Sequence, residues 1–536
     1  MTKKQFIIGA LLIALLHIGL VICFGIQKQG FHEDEYYTYW SVSSNSESLV
    51  PSNMSWHSGQ ELQSRFFVRA GERFSFDRVI QNQAEDVHPP LYYLALHVFM
   101  SLFANHFYKW FGILLNLLFS LITYVGILLV FLQIQGENAR YRRELSLFAG
   151  FIYSILPSVI SAVMLTRMYA MSTMWTAAYT LVFVLLFRYQ DCGKKQFAGL
   201  VLSGAFICYC AFLTHYYALF VPFFLTVFYV LYTLIRRKGI VRMLVYGICM
   251  LVAISQAVLT YPACLSHIFG GYRGRDAISG FFAGTLFDRT APFVGWINSS
   301  VFAGWMFPCL IGFLLCAVVG VICFAGGKKE QAEKRFVYQM FSIGGSCLFS
   351  FFVLTKLALM VGEDASRYFY PVVNLAIPFM AYTATAVVMA LQEKYQSRTG
   401  KRLWQGLAAV LAVLVLFPVL HTYQQGKVLF LYKEDGAKKA FSESYREYPL
   451  VLVYSRDKSY RSWYVDDQVW PFERVLYVDV DSLQQIEDST LSEAEKVVVF
   501  MDAPEEYLQH MIDNNPNLST YTLVRHDAYF YVYLLE

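Results

Sequence analysis

Long apolar segments separated by short polar ones run from the N-terminus to about residue 421. A helix needs about 20 apolar residues to cross roughly 30 Å of hydrocarbon. Segments of that length recur here, and between their ends they contain essentially no Asp, Glu, Lys or Arg. We therefore predict about eleven transmembrane helices, at roughly 6–26, 110–134, 145–165, 168–188, 197–213, 216–235, 240–262, 299–325, 336–356, 368–390 and 403–421.

The charges of the loops between these segments predict an orientation. Cytoplasmic loops of membrane proteins carry an excess of Lys and Arg. With the N-terminus in the cytoplasm, the basic loops all fall on that side, provided that Pro90–Phe103 does not cross the membrane. That stretch has about 14 residues and begins at the second of two adjacent prolines, so we predict a helix lying in the outer interface at about 90–103. The basic loops contain Arg140, Arg142 and Arg143; Lys194 and Lys195; Arg236, Arg237 and Lys238; Lys328, Lys329, Lys334 and Arg335; and Lys394, Arg398, Lys401 and Arg402.

The pattern changes after about residue 422, where short runs of alternating or continuous apolar residues replace the long ones. Leu450–Tyr454, Arg474–Val478 and Lys496–Phe500 are typical of buried strands, and a closing pair near 519–525 and 529–535 resembles a hairpin. We predict a small α/β domain over 422–536 on the outer face. The remainder, 1–421, forms a polytopic α-helical membrane module whose first outer loop spans 27–109 and includes the interfacial helix.

Composition supports a membrane protein and excludes several other classes. The chain has 57% hydrophobic and 15% charged residues, with a mean hydropathy of +0.43, values that do not suit a soluble globular protein of this length. The net charge of +4 is explained by the basic loops rather than by a nucleic-acid surface. The ten cysteines lie in or beside apolar segments, and no CxxC pair indicates a zinc site.

The near absence of charge within the spans bears on function. Ion-coupled transporters and proton pumps usually place ionisable groups near the bilayer centre. Chemistry at the outer membrane surface is therefore the preferred hypothesis. The alternative is a non-enzymatic protein, such as a flippase or transporter of a lipid-linked sugar.

Two polar clusters lie within the first outer loop. His32-Glu33-Asp34-Glu35 directly follows the first span, and Asp86-Val87-His88-Pro89-Pro90 directly precedes the interfacial helix. The two prolines keep the chain extended and can begin a helix. We expect Asp86 and His88 at the water boundary, facing the first cluster. An isolated acidic cluster after a membrane helix would more simply be a solvated turn.

In order and spacing, several motifs resemble the GT-C superfamily of glycosyltransferases. They are Asp34-Glu35, His88-Pro89-Pro90-Leu91-Tyr92-Tyr93 and Arg167-Met168-Tyr169-Ala170, with His215-Tyr216 and Arg367-Tyr368 further on. The chain is most similar to the branch of bacterial protein mannosyltransferases, aminoarabinose transferases and RgtA/B/C/D-like enzymes. The resemblance implies transfer of a sugar from a polyprenyl-phosphate carrier to an acceptor outside the cytoplasm, with inversion at the anomeric carbon. That acceptor would be an envelope glycan, a lipid or a protein.

The resemblance also implies catalytic roles. A polyprenyl phosphate already leaves as a stabilised anion, so one general base acting on the acceptor hydroxyl should suffice. Asp34 matches the base, and Glu35 would orient it or bind a cation. Crowding of Glu33, Asp34 and Glu35 should raise the pKa of at least one carboxyl. Glu33 and His32 receive no role.

The leaving phosphate needs cationic partners, and the planar fork of arginine binds two phosphate oxygens well. Arg167 and Arg367 are the first candidates for this donor-phosphate site, with Tyr169 and Tyr368 beside them. Either arginine could instead be an interfacial residue held by lipid headgroups. Arg273 and Arg275, in the glycine-rich segment 270–275, could close over the donor, or this could simply be a flexible outer loop.

A divalent cation is a further possibility, although none is required. Asp86, His88 and His215 would be acceptable ligands for zinc or manganese if they converged. Some relatives bind a cation there and others work without one, and a histidine at a span end is often only an interfacial hydrogen-bonder. The C-terminal aromatic residues could stack on sugar rings of an acceptor, but a role in the domain core is preferred. These aromatic residues are Trp463, Tyr464, Trp470 and Phe472.

Overall fold

The structure is a computed structural model that describes residues 1–536 except 44–49, 136–138, 191, 326–330, 395–397, 486–490, 492, 503–505 and 528. Lys328 and Lys329, used above to predict orientation, lie outside the described residues. The chain forms two compact units. The helical unit contains Met1–Gly25, Gln83–Tyr92 and Gly112–Leu429, and the sheet unit contains Ile26–Asn82, Tyr93–Phe111 and Phe430–Glu536.

Membrane-length apolar helices dominate the helical unit, as the sequence predicts. Among the described residues, nine helical segments are long and apolar enough to cross a membrane, or up to eleven if each of two bent pairs is one span. The helices are α1 (Lys3–Gln27), α6 (Trp110–Ile134), α7 (Arg142–Ile155), α8 (Pro157–Met164), α9 (Tyr169–Arg188), α10 (Lys194–Thr214), α11 (Phe220–Arg236), α12 (Ile240–Thr260), α13 (Ala263–Leu265), α14 (Tyr272–Phe282), α15 (Leu286–Phe302), α16 (Met306–Ala325), α17 (Gln331–Leu357), α18 (Tyr370–Lys394) and α19 (Arg398–Gln424). Short 3₁₀ segments at Tyr216–Leu219 and Gly362–Phe369 precede α11 and α18, and a π-helical turn spans Ser266–Gly270.

The two bent pairs have local causes that the apolar pattern does not reveal. Helices α7 and α8 meet at 51°, where Pro157 opens α8 without a backbone N–H to continue the preceding helix. Helices α15 and α16 meet at 89°. Ala303 and Gly304 between them have φ of 47° and 91°, left-handed values that end α15. The segment 263–298, which contains the glycine-rich stretch considered above as a flexible outer loop, is largely helical.

A six-stranded sheet in the order β1-β3-β2-β4-β6-β5 organises the sheet unit. The predicted strands and hairpin are confirmed: β2, β3 and β4 pair in parallel, and β5 and β6 form an antiparallel pair. The strands are β1 (Ser55–His57), β2 (Leu450–Tyr454), β3 (Val475–Asp479), β4 (Val497–Met501), β5 (Tyr521–His526) and β6 (Tyr531–Leu535). The α-helices with all or part of their length here are α2 (Glu33–Val42), α3 (Gly59–Gln63), α4 (Phe76–Glu85), α5 (Leu91–Ser101), α20 (Asp435–Ser444), α21 (Asp466–Val469) and α22 (Glu506–Asp513). Further 3₁₀ segments are Ser64–Phe66, Ala70–Glu72, Arg456–Val465 and Val480–Gln485.

The central strands are buried on both faces, which explains their continuous apolar sequences. In β2, Val451 and Val453 pack into one core, while Leu450 and Leu452 pack into another. This alternation follows from the two-residue repeat of a strand. Helix α5 begins at Leu91, directly after Pro89 and Pro90, and occupies most of the predicted interfacial segment.

The unit boundaries differ from the domain boundaries drawn from the sequence. Most of the first outer loop belongs with the C-terminal segment, and the later boundary falls between Leu429 and Phe430. Strand β1 shows why, because Ser55, Trp56 and His57 pair antiparallel with Tyr477, Leu476 and Val475. A three-residue strand paired across more than 400 positions leaves no periodic signal in the sequence.

Candidate active site

The first acidic cluster opens helix α2. The Nδ1 atom of His32 accepts a hydrogen bond from the backbone N–H of Asp34 at 3.0 Å, and the Glu35 carboxylate accepts one from the backbone N–H of His32 at 2.9 Å. This is a reciprocal capping box in which an imidazole replaces the usual hydroxyl. The carboxylates at 33–35 also lie at the helix N-terminus, where the backbone dipoles favour negative charge.

Glu35 is a buried structural carboxylate. Its Oε2 lies 2.8 Å from the Nζ of Lys28, and both side chains are completely buried. Lys28 also donates to the carbonyl of Phe430 at 2.8 Å. Burial lowers the pKa of Lys28, and the neighbouring Glu35 carboxylate opposes that shift. The cation that Glu35 holds is therefore an ammonium group of the same chain, and the pair fixes the first turn of α2.

Asp34 lies in the same helical turn but retains access to solvent. Its side chain is 26% exposed, and its Oδ2 is 3.7 Å from the Nδ1 of His32. A partly exposed carboxylate on a fixed helix start is suited to accepting a proton. Within the described part of the chain, His32, Glu33 and Asp34 are also the group whose potential metal-ligand atoms all lie within 4.8 Å of one another.

The second cluster is in the helical unit and centres on His88. Its Nδ1 lies 2.9 Å from the Oδ2 of Asp86. Nη2 of Arg167 lies 3.4 and 3.3 Å from the two ring nitrogens of His88, so it contacts the ring as a whole rather than one lone pair. Burial raises the pKa of Asp86, but His88 and Arg167 outweigh that effect and bring the pKa below its usual value. Asp86 is therefore ionised at neutral pH.

Breaks between helices position these side chains. Arg167 lies in the short connection between α8 and α9 and is only 2% exposed. His88 immediately precedes the two prolines that lead into α5. The adjoining Tyr92 is fully buried, and its hydroxyl donates to the Oδ1 of Asn116 at 3.1 Å. Tyr92 thus anchors the start of α5 within this unit.

His215 joins this cluster at the end of α10. Its ring centroid is 6.0 Å from that of His88 and 5.8 Å from that of Tyr169. Its Nδ1 accepts a hydrogen bond from the backbone N–H of Tyr217 at 3.1 Å. Burial, followed by electrostatic interaction with His88 and Arg167, lowers the pKa of His215 well below its usual value. His215 is consequently neutral at physiological pH.

Aromatic contacts extend the cluster toward α18. Tyr169 and Tyr368 meet edge to face with centroids 6.0 Å apart, and Tyr368 also lies 6.1 Å from Tyr217. Arg367 is 5% exposed, and its Nη1 donates to the carbonyl of Asp364 at 3.1 Å. The structure therefore brings together six of the predicted residues, with Arg367 adjoining through Tyr368. These six are Asp86, His88, Arg167, Tyr169, His215 and Tyr368.

Arg273 and Arg275 occupy a different setting from the predicted glycine-rich loop. Both are exposed on helix α14. A Cβ added to the intervening Gly274 would lie 2.3 Å from the carbonyl oxygen of His267. Gly274 is therefore required for close packing, which differs from the flexible loop considered from the sequence.

Two important residues were not predicted. Lys28 is the only Lys or Arg between Lys4 and Arg65. Its position close to three carboxylates in the sequence could therefore have indicated that it pairs with one of them. No sequence motif indicated that His267 contributes to the cluster. Its Nε2 lies 3.2 Å from the carbonyl oxygen of Ala84, and its Nδ1 lies 2.9 Å from the hydroxyl of Tyr216. His267 thereby links Ala84, two residues before Asp86, to Tyr216, which follows His215.

Comparisons with known proteins address the fold. No protein-family model and no curated protein sequence matches the chain. A solved structure of ArnT from Cupriavidus metallidurans bound to undecaprenyl phosphate matches with a TM-score of 0.54 and 12% identity, over 99% of this chain and 98% of that chain. This chain has the GT-C fold. The GT-C match therefore confirms the predicted fold class, a polytopic α-helical membrane protein with a small sheet region.

Other GT-C proteins match less closely. The apo state of the same ArnT gives a TM-score of 0.45 at 14% identity, over 96% of this chain and 98% of that chain. The archaeal oligosaccharyltransferase AglB from Archaeoglobus fulgidus, in complex with an inhibitory peptide and a dolichol-phosphate, gives 0.47 at 10% identity, over 96% of this chain and 71% of that chain.

Proposed function

We propose that this chain is an integral membrane glycosyltransferase that moves a sugar from a polyprenyl-phosphate carrier to an extracytoplasmic acceptor, with inversion. The observation that carries the proposal is the near-full-length likeness to an ArnT structure that contains undecaprenyl phosphate. The polar clusters provide the chemistry that such a reaction needs. The acceptor is an envelope glycan, a lipid or a protein.

Asp34 is the general base in this proposal. Its carboxylate removes the proton from an acceptor hydroxyl while that oxygen forms a bond to the anomeric carbon. The bond from the anomeric carbon to the phosphate oxygen breaks, and the polyprenyl phosphate leaves with the electron pair. Its partial exposure supports this role for Asp34, because the carboxylate can reach an acceptor. Glu35, paired with Lys28, holds the helix that presents it.

Arg167 is the principal ligand of the donor phosphate. Its guanidinium is a permanent charge, and it can form two parallel hydrogen bonds to phosphate oxygens. Asp86 holds His88 through Nδ1, and His88 in turn contacts Arg167. The hydroxyls of Tyr169 and Tyr368 are additional donors for the same ligand. Arg367 is a secondary cation, and the exposed Arg273 and Arg275 are candidates for closing over the donor.

A divalent cation is an optional part of the proposal. Asp86, His88 and His215 supply suitable atoms, but Arg167 places a competing positive charge beside His88, and Nδ1 of His215 already accepts from a backbone N–H. The potential ligand atoms of His32, Glu33 and Asp34 all lie within 4.8 Å of one another, and Nδ1 of His32 likewise already accepts from a backbone N–H. A cation there would lower the charge repulsion within the acidic turn.

The proposed orientation places the N-terminus in the cytoplasm and the C-terminal segment outside. The basic loops support it. Gln425, exposed just beyond α19, and Lys195, exposed at the start of α10, offer a matched pair for cysteine labelling. A membrane-impermeant thiol reagent should label Gln425→Cys in intact cells and Lys195→Cys only after lysis, relative to the unmodified chain. Labelling of Lys195→Cys in intact cells, and of Gln425→Cys only after lysis, would show that the topology is the reverse of the one proposed.

Reconstituted protein tests the activity directly. Proteoliposomes supplied with polyprenyl-phosphate hexose or pentose and an envelope extract should release polyprenyl phosphate and retain the sugar in a new product. The competing flippase would instead move intact donor between leaflets without cleaving it, as measured by protection from periodate. Translocation of intact donor without release of polyprenyl phosphate would overturn the proposed activity.

A further inference from the structure

Helix α2 presents a stripe of partly exposed residues that begins with Asp34. Asp34, Tyr37 and Trp40 are spaced by three and remain partly exposed. Residues three apart on a helix are neighbours, separated by about 4.5 Å along the axis. The other described positions after Asp34 in this helix are buried: Glu35, Tyr36, Thr38, Tyr39, Ser41 and Val42. The two aromatic rings are therefore the solvent-accessible continuation of the position that carries the proposed base.

A residue from the C-terminal segment completes this surface. Trp463 lies with its ring centroid 5.9 Å from that of Tyr37, at an interplanar angle of 36°. Tyr37 in turn lies 5.6 Å from Trp40, at 46°. All three side chains are partly exposed, and all belong to the sheet unit. We call Tyr37, Trp40 and Trp463 the aromatic platform.

The other C-terminal aromatic residues have different surroundings. Tyr464 meets Tyr529 edge to face, with ring centroids 4.7 Å apart. Phe472 is 1% exposed and lies in the sheet core. Trp470 contacts the rings of Tyr36, Phe66 and Phe107, which places it inside an aromatic cluster of the unit. The core role preferred from the sequence therefore suits these two residues. Trp463 is the one that continues the surface next to Asp34.

The chemistry of the platform fits a neutral saccharide. Aromatic ring faces carry negative partial charge, and the C–H faces of a pyranose are apolar with positive hydrogens, so the two stack favourably. Glu33 and Asp34 at the start of the same helix oppose an anionic ligand such as a second lipid phosphate. A carbohydrate acceptor offers apolar faces for the rings and hydroxyls for Asp34.

We propose that Tyr37, Trp40 and Trp463 form an acceptor subsite that binds a neutral sugar ring and directs one of its hydroxyls to Asp34. The acceptor is then a saccharide rather than a protein side chain or a simple lipid. This inference rests on the proposed glycosyltransferase function for its purpose. Its binding step, however, is measurable without any turnover.

The test uses the full chain in nanodiscs and calorimetric titration with cellotriose, maltotriose and chitotriose, with pentaglycine as the non-sugar control. At least one trisaccharide should bind, and pentaglycine should not. Tyr37→Leu and Trp463→Leu keep apolar packing but remove the rings, and each should weaken binding about tenfold. Tyr37→Phe keeps the ring and should bind as the wild type does. Tyr531→Ala, at an exposed aromatic residue of β6, is the matched control.

The outcomes separate this inference from the proposed function. Binding that is unaffected by both leucine variants, or weakened equally by Tyr531→Ala, would overturn the platform. Binding of pentaglycine, or of no trisaccharide, would also overturn it. Release of polyprenyl phosphate is measured on the same preparations. Donor turnover without sugar binding therefore refutes the platform alone, and sugar binding without turnover refutes the transferase alone.

Discussion

The clusters around Asp34 and His88 both combine carboxylates, a histidine and a cationic side chain, but a carboxylate pairs with the cation in the first and with the histidine in the second. At the start of α2, the cation Lys28 is completely buried against Glu35, and Asp34 remains partly exposed. In the helical unit, Arg167 is buried but contacts His88, whose other partner is Asp86. The comparison shows two different pairings of a carboxylate. In the first cluster a completely buried carboxylate–ammonium pair lies beside the partly exposed Asp34, whereas in the second a carboxylate–imidazole pair lies beside the buried Arg167.

The largest expected effect is the loss of stability on breaking the buried Lys28–Glu35 pair of the first cluster. Lys28→Met should lower the free energy of unfolding by about 3–5 kcal/mol, because it leaves the Glu35 carboxylate buried without its cation. Thermal unfolding of the detergent-solubilised protein measures this loss. The double variant Lys28→Met/Glu35→Gln should recover part of it. A single variant as stable as the wild type would show that the pair does not anchor α2.

Arg167 tests the second cluster. Arg167→Ala should reduce sugar transfer about 100- to 1000-fold, the size of effect seen when a preorganised donor to a developing anion is removed. Arg167→Lys should retain more activity, because it keeps the charge but loses the planar fork. The control is Arg289→Ala, since Arg289 donates to the backbone carbonyls of Thr355 and Ala358. Equal transfer losses per folded molecule for Arg167→Ala and Arg289→Ala would remove Arg167 from the phosphate site.

His215 gives a smaller, pH-dependent effect. Its pKa is lowered in the folded state, so the unfolded state binds more protons below about pH 6.5, and stability falls as the pH drops. Its contribution should reach about 1.4 kcal/mol by pH 5.5. The lowered pKa of Asp86 acts only below about pH 4. His97 and His267 also have lowered pKa values, so His215→Asn, which keeps a capping acceptor, should reduce but not abolish the fall in melting temperature between pH 7.5 and 5.5. An unchanged slope would contradict this assignment.

Much of the architecture could be predicted because long apolar segments and strand alternation are local signals. The spans, the helix after Pro90 and the central strands all follow from such patterns. The pairing of Ser55–His57 with β3 and the bend at Ala303 could not be predicted, because they depend on distant contacts or a single backbone conformation. The residue types of both clusters were visible in the sequence. The separate environments of Asp34 and Glu35 were not, since burial of Lys28 is a tertiary effect.

The distinction between the two neighbouring carboxylates is the central claim, and single-turnover sugar transfer per folded molecule tests it most directly. Asp34→Asn should remain folded, with a melting temperature near that of the wild type, and should lose transfer by at least about 100-fold. Glu35→Gln should lower the melting temperature but retain transfer in the folded fraction. A wild-type transfer rate in Asp34→Asn would contradict the assignment of Asp34 as the base. So would a loss of transfer per folded molecule that occurs in Glu35→Gln but not in Asp34→Asn.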